Sequence, residues 1–90
     1  MDNSELQLYQ AILSLRNIEE CQAFFKDLCT PKEIRDLKDR LLVARLLHQG
    51  NLSYREISSQ TKVSLATITR VARFLTQETY QGYKMILNRK

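Results

Sequence analysis

The sequence predicts an all-α fold of about five to six helices, and three observations lead to this prediction. Only two glycines and one proline occur in 90 residues, which leaves little to build the turns of a β fold. Helix-start signals recur along the chain, several as a capping side chain with a glutamate three residues later. Between these signals, apolar residues return at spacings of three and four, which is the period of a buried helix face.

The first 28 residues predict two helices with strong apolar stripes. Ser4 and Glu5 should begin a helix that reaches about Arg16, and Asn17 with Glu20 should cap the second. The stripes are Leu6, Tyr9, Ile12 and Leu13 on the first helix, and Ile18, Cys21, Phe24, Phe25 and Leu28 on the second. The first could pack on the core of one chain or on a second chain. For the second, a hydrophobic core is favoured over a subunit seam or a ligand pocket.

The third helix has the clearest start in the chain. In Thr30-Pro31-Lys32-Glu33 the threonine caps, the proline fits the first turn and the glutamate completes the capping box. The helix should run to about His48, and Gly50 allows a left-handed exit. Its second half is apolar on more than one side, as expected of a central helix shared between two subunits.

The segment 52–75 predicts two short helices joined by a tight turn. Ser53 and Glu56 form a capping box for the first helix, and Ser64 caps the second. Thr61, Lys62 and Val63 should make the turn, with Lys62 at a positive φ, although glycine is the usual residue there. The residues expected to face inward are Ile57, Val63, Ile68, Val71, Ala72 and Leu75.

Two helices in this arrangement form a helix-turn-helix, whose second helix enters the major groove of DNA. The outward residues of the second helix are Leu65, Ala66, Thr69, Arg70 and Arg73. Small apolar and hydroxyl side chains can touch base edges, and arginine can reach phosphates or guanine. No acidic residue occurs from position 60 to position 77, as a surface that approaches a polyanion requires. The alternative is an ordinary helical hairpin with a solvated polar face.

Charge is distributed unevenly along the chain. Residues 1–30 carry five acids and two bases, giving −3, and residues 31–90 carry five acids and twelve bases, giving +7. A basic C-terminal two-thirds favours a nucleic-acid partner.

Other classes of function have little support in the sequence. Cys21 and Cys29 are too far apart on a helix for a disulfide, and with the single histidine His48 they make no zinc motif. No phosphate-binding loop, nucleophile–base pair or paired carboxylates can be found. We therefore expect no catalytic residue, metal or cofactor. Free thiols, and the lack of a signal peptide or a membrane-spanning run, indicate a cytoplasmic protein.

The quoted motifs resemble the bacterial Trp repressor-like family. The similarity lies in SYREIS, in VSLATITRVARFL and in the upstream TPKEIRDLKDRLLVARLLHQG. The resemblance implies a single domain forming an intertwined homodimer on operator DNA. It would comprise dimerisation helices over 1–50, the helix-turn-helix over 52–75 and a C-terminal helix or arm over 76–90. By position in the motif, the implied DNA contacts are Arg55, Leu65, Ala66, Thr67 and Thr69.

The resemblance is imperfect at the corepressor pocket. Arg40 and Arg70 match two arginines that hold tryptophan in the founding member, and Thr30 matches a pocket residue. Val71, however, stands where that member has glycine, and Phe74 stands where it has serine. Because both changes add bulk where the indole would lie, the chain is more similar to a branch with no known tryptophan response.

The sequence thus predicts a homodimeric, sequence-specific DNA-binding regulator, with repression as its expected effect, on an inverted-repeat operator and without tryptophan. Leu65, Ala66 and Thr69 would face bases, while Tyr54, Arg55, Thr67 and Arg73 would lie at phosphates. Arg70 would contact a phosphate or form an intersubunit ion pair. Two alternatives stay open: a repressor gated by a small ligand near Arg40 and Arg70, and a protein-interaction module that uses the helix-turn-helix shape.

Overall fold

The structure is a computed structural model that describes residues 1–89, and in this range it contains six α-helices and no strand. The helices are α1 Asn3–Leu13, α2 Ile18–Leu28, α3 Pro31–Gln49, α4 Tyr54–Thr61, α5 Leu65–Thr76 and α6 Gly82–Leu87. The predicted all-α class is therefore confirmed. None of these helices is long and apolar enough to cross a membrane. Contacts divide the chain into two units, Met1–Ile34 and a second from Arg35 onward.

The first helix differs from the sequence prediction at both ends. Its N-cap is Asp2, whose carboxylate accepts the Glu5 N–H at 2.8 Å, so the helix begins before Ser4. It ends at Leu13 and does not reach Arg16, since the Ser14 hydroxyl donates to the Ala11 carbonyl at 2.7 Å. A serine that bonds the preceding turn competes with continuation of the helix.

The apolar stripes of the first unit are present, but the unit does not bury them. No residue of α1 or α2 is buried, and Leu13 and Ile18 are 84% and 80% exposed. Phe24 and Phe25 meet edge to face with ring centres 5.8 Å apart, yet both are only half-buried. The unit therefore has no core of its own to account for these side chains.

The predicted ends of α3 are confirmed by hydrogen bonds and backbone angles. The Thr30 hydroxyl accepts the Glu33 N–H at 3.1 Å, and the Glu33 carboxylate accepts the Thr30 N–H at 2.8 Å. Each of these bonds satisfies a backbone donor that the helix start would leave unpaired. At the other end, Gly50 has the expected left-handed conformation, with φ +77°.

The second unit has a small apolar core to which α3, α4 and α5 all contribute. Its buried cluster consists of Val43, Ala44, Ile57, Val63, Ile68 and Val71. Leu46, Leu47, Leu52, Tyr83 and Leu87 pack against it from the edge. Ala72 and Leu75 are also buried, so every residue predicted to face inward from segment 52–75 does so. The core fixes the back of α4 and α5, and it leaves their outer faces to solvent.

Candidate nucleic-acid interface

The first helix of the candidate site, α4, begins at a complete capping box. The Ser53 hydroxyl accepts the Glu56 N–H at 3.1 Å, and the Glu56 carboxylate accepts the Ser53 N–H at 2.9 Å. Interaction of the Glu56 carboxylate first with the Ser53 backbone N–H, and then with the Ser53 side chain, holds the pKa of Glu56 below its ordinary value of 4.5. The ionised carboxylate therefore stabilises the start of α4.

The turn between α4 and α5 is fixed by three short-range hydrogen bonds. Lys62 takes the left-handed conformation, with φ 64° and ψ 14°, and its N–H donates to the Ser58 carbonyl at 2.9 Å. The Ser58 hydroxyl donates to the Val63 carbonyl at 2.7 Å, and the Thr61 hydroxyl accepts the Val63 N–H at 3.1 Å. The expected positive φ at Lys62 is confirmed, and these bonds fix the connection between the two helices.

The second helix, α5, is anchored at its start and along its back. Ser64 caps it by accepting the Thr67 N–H at 3.1 Å, and the Ser64 hydroxyl also reaches the Thr67 hydroxyl at 3.1 Å. Ile68 and Val71 are 0% and 1% exposed in the core. A helix held in this way presents its opposite face as a rigid surface.

That opposite face carries the residues that the sequence placed there. Leu65 is 48% exposed, and Ala66, Thr69, Arg70 and Arg73 are exposed as well. Thr67 lies at the flank, where it is half-buried. On the preceding helix, Tyr54 and Arg55 are exposed at the first turn. We refer to the exposed residues Leu65, Ala66, Thr69, Arg70 and Arg73 as the outer face of α5.

The C-terminal end of the outer face contains an aromatic cluster that sequence reasoning missed. The guanidinium carbons of Arg70 and Arg73 lie 4.6 and 5.5 Å from the centre of the Phe74 ring. Phe74 in turn stacks with Tyr80, with ring centres 6.2 Å apart and planes 13° from parallel. Arginine over an aromatic face is favourable through the ring quadrupole. The i, i+4 spacing of Arg70 and Phe74 was the one signal in the sequence that could have revealed it.

Glu78 was also missed, and it supplies a carboxylate at the same end of the outer face. Nε and Nη2 of Arg73 both donate to Oε1 of Glu78, at 3.0 and 2.8 Å. The Glu78 N–H also donates to the Arg73 carbonyl at 3.1 Å. Arg73, predicted to contact phosphate, thus has a partner within its own chain.

The three residues matched to a corepressor pocket have different surroundings. Thr30 is the capping residue of α3, Arg40 is half-buried on the same helix, and Arg70 lies against Phe74. Val71 does not border open space: its side chain belongs to the buried core. Across residues 1–89, no group of three or more histidine, cysteine or acidic side chains is arranged to hold a metal.

Comparisons with known proteins agree with this geometry. The "Uncharacterized protein YerC" of Bacillus subtilis is 49% identical over 83 residues, which is 92% of this chain and 78% of that protein. A "Trp operon repressor homolog" of Chlamydia trachomatis serovar D is 35% identical over 74 residues, covering 78% of this chain and 79% of the relative.

A similar solved structure is that of a TrpR-like protein from Eubacterium eligens, which superimposes with a TM-score of 0.88 at 40% identity. The alignment covers 94% of this chain and 86% of that one. The family model for the Trp repressor protein matches residues 4–90. The chain therefore belongs to the Trp repressor family of helix-turn-helix transcription regulators.

Proposed function

We propose that this protein is a homodimeric, sequence-specific DNA-binding repressor that acts on an inverted-repeat operator without tryptophan. The observation that carries the proposal is the outer face of α5. It is exposed, rigidly backed by buried Ile68 and Val71, and made of small, hydroxyl and arginine side chains. These side chains are the types that read base edges and phosphates.

The roles of individual residues follow from their positions. Leu65, Ala66 and Thr69 lie in the first turns of α5, the part of a recognition helix that faces base edges. Tyr54 and Arg55 at the start of α4, with Thr67 and Arg73, are assigned to phosphates, which position the protein without reading sequence. Arg70 is assigned to a phosphate or to an intersubunit ion pair.

A second copy of the chain is the proposed partner, and the first unit supports this assignment. Its apolar side chains include Leu13 and Ile18, which are 84% and 80% exposed in a single chain. Burying apolar surface stabilises by about 25 cal/mol per Å², so a surface of this kind favours association. Two α5 helices related by a two-fold axis would enter successive major grooves roughly 34 Å apart, hence the inverted repeat.

Independence from tryptophan rests on Val71 and Phe74. The Val71 side chain is 1% exposed in the core, and Phe74 lies against the guanidinium of Arg70. The Phe74 ring takes up volume beside Arg70, which the ligand-gated alternative needs, and the Val71 side chain fills part of the buried core. The Chlamydia relative carries the name of a Trp operon repressor homolog, so gating by a small ligand is retained as an outcome of the test below.

The test is a selection of genomic DNA fragments by the purified protein with no added ligand. A parallel selection uses the double variant Ala66→Glu, Thr69→Asp, which places two acids on the outer face. A charge-matched control, Gln7→Glu with Gln49→Glu, places two acids at exposed positions outside the helix-turn-helix. We expect the wild type and the control to enrich one inverted repeat, and the outer-face variant to enrich none.

Other results separate the alternatives. Enrichment that appears only after a metabolite pool is added would establish a ligand-gated repressor. No enrichment under either condition would overturn the DNA-binding proposal in favour of a protein-interaction module. Salt provides a second criterion, because phosphate-driven binding weakens steeply with ionic strength and an apolar protein interface does not.

A further inference from the structure

Glu78 occupies an unusual position in the charge pattern of the C-terminal part of the chain. It is the single acidic residue from position 57 to position 90, a stretch that also holds Lys62, Arg70, Arg73, Lys84, Arg89 and Lys90. Its side chain does not extend into solvent, since it is 28% exposed and bonded to Arg73. The one carboxylate side chain of this basic segment therefore pairs with an arginine of the outer face of α5.

The Arg73–Glu78 pair is held by more than its ion pair. Two guanidinium nitrogens of Arg73 donate to one oxygen of Glu78 at 3.0 and 2.8 Å, and the Glu78 N–H donates to the Arg73 carbonyl at 3.1 Å. Phe74 and Tyr80, which lie on either side of Glu78 in sequence, stack on each other. The carboxylate is thus positioned on Arg73 by the fold of the α5–α6 connection.

We infer that Glu78 lowers the affinity of the protein for DNA by competing with phosphate for the Arg73 guanidinium. The inference rests on the proposed DNA-binding function. Arg73 is 61% exposed, so a phosphate can approach it, but it must displace or share the Glu78 oxygen. Binding to arbitrary DNA comes almost entirely from phosphate contacts, whereas operator binding adds base contacts from Leu65, Ala66 and Thr69.

The competition lowers affinity for random DNA and for the operator in different ways. In a loosely fitted complex no phosphate is held close enough to Arg73 to replace the carboxylate, and the intrachain pair persists. In the operator complex, base contacts fix the register and bring a phosphate up to Arg73. Glu78 therefore lowers affinity for random DNA by the phosphate contact that Arg73 does not make, and it lowers affinity for the operator by the ion pair that the phosphate must displace.

The test measures binding of random-sequence duplex by fluorescence anisotropy between about 50 and 200 mM salt. Glu78→Gln keeps the side-chain shape and removes the charge. Because an exposed ion pair contributes up to about 1 kcal/mol, Glu78→Gln should bind random DNA about two- to fivefold more tightly. The slope of log K against log salt should steepen by about 0.9, the value for one further phosphate contact. Operator affinity should rise by at least as much, because operator phosphate no longer has to displace the carboxylate.

Arg73→Gln supplies the matched control. If Glu78 acts by competing for Arg73, Glu78→Gln should have no effect in the Arg73→Gln background. An equal gain in that background would overturn the inference, because Glu78 would then act as a general repulsive charge. The inference would also be overturned if Glu78→Gln left both the affinity for random DNA and the slope of log K against log salt unchanged. Circular dichroism must show the same helix content as in the wild type for this result to count. Failure of the wild type to bind any DNA would instead refute the proposed function, and the inference with it.

Discussion

The guanidinium carbon of Arg70 lies 4.6 Å from the centre of the Phe74 ring, one helical turn further along α5. The contact is a cation–π interaction, and Phe74 is itself held by its stack on Tyr80. Arg70, which was matched by resemblance to a ligand-binding arginine, thereby has a partner from its own chain. An internal aromatic ring also costs no translational entropy to bind, unlike a free ligand.

Titration with L-tryptophan is therefore expected to give no heat beyond dilution in isothermal calorimetry, and tryptophan should leave operator affinity unchanged. Phe74→Ser opens space beside Arg70 and serves as the comparison, since any weak tryptophan binding should appear in this variant first. Saturable heat with the wild type would contradict the expectation and return Arg40 and Arg70 to a ligand-binding role.

Lys62→Gly should stabilise the protein. A non-glycine residue in the left-handed region costs about 1–2 kcal/mol, and part of the relief is offset by the greater flexibility of unfolded glycine. We expect a net gain of about 0.5–1 kcal/mol in the free energy of unfolding, measured by urea denaturation at one fixed protein concentration. Lys62→Ala removes the same charge and keeps the strained angle, so it should show no such gain; equal stability of the two variants would argue against backbone strain at φ 64°.

The helix-turn-helix segment 52–75 could be predicted from sequence in detail because its signals are local. Capping pairs such as Ser53 with Glu56 span one helical turn, and the period of Ile68, Val71 and Leu75 defines a face without knowledge of the rest of the chain. Even the positive φ of Lys62 was predicted, from its position in the turn where glycine is usual. These features depend on residues within a few positions of each other.

The relations that the sequence did not reveal depend on conformation beyond the helix ends. The Arg73–Glu78 pair forms across the end of α5, where no regular period relates the two residues. The early end of α1 at Leu13 depends on the Ser14 hydroxyl, which donates to the Ala11 carbonyl in the preceding turn. This bond competes with continuation of the helix. Whether the α1 stripe covers a core or a partner was likewise undetermined, because an apolar stripe has the same pattern in both cases. For α2 a hydrophobic core was favoured, yet the first unit buries none of its residues.

The capping box of α4 predicts a pH dependence with a definite sign. The pKa of Glu56 lies below 4.5 in the folded chain, so its ionised form is stabilised by folding. That contribution is complete above about pH 4.5, the unfolded value, and is lost as pH falls through the lower folded pKa. Glu56→Gln can accept the same Ser53 N–H bond without a charge. The difference in unfolding free energy between wild type and Glu56→Gln should therefore shrink on acidification from neutral pH, and a difference independent of pH would contradict the assignment.

Leu13→Asp should separate the two possible roles of the α1 stripe. In a single chain Leu13 is 84% exposed, so an aspartate there would cost little if the chain acted alone. If a second copy covers the stripe, the same carboxylate becomes buried without a partner. Because an unpaired buried charge costs several kcal/mol, the dissociation constant of the dimer should then rise about tenfold or more.

Gln7→Asp, which adds the same charge at an exposed polar position of α1, is the control and should remain as associated as the wild type. Sedimentation equilibrium over a range of concentrations measures both, and identical association of the two variants would exclude Leu13 from the subunit interface.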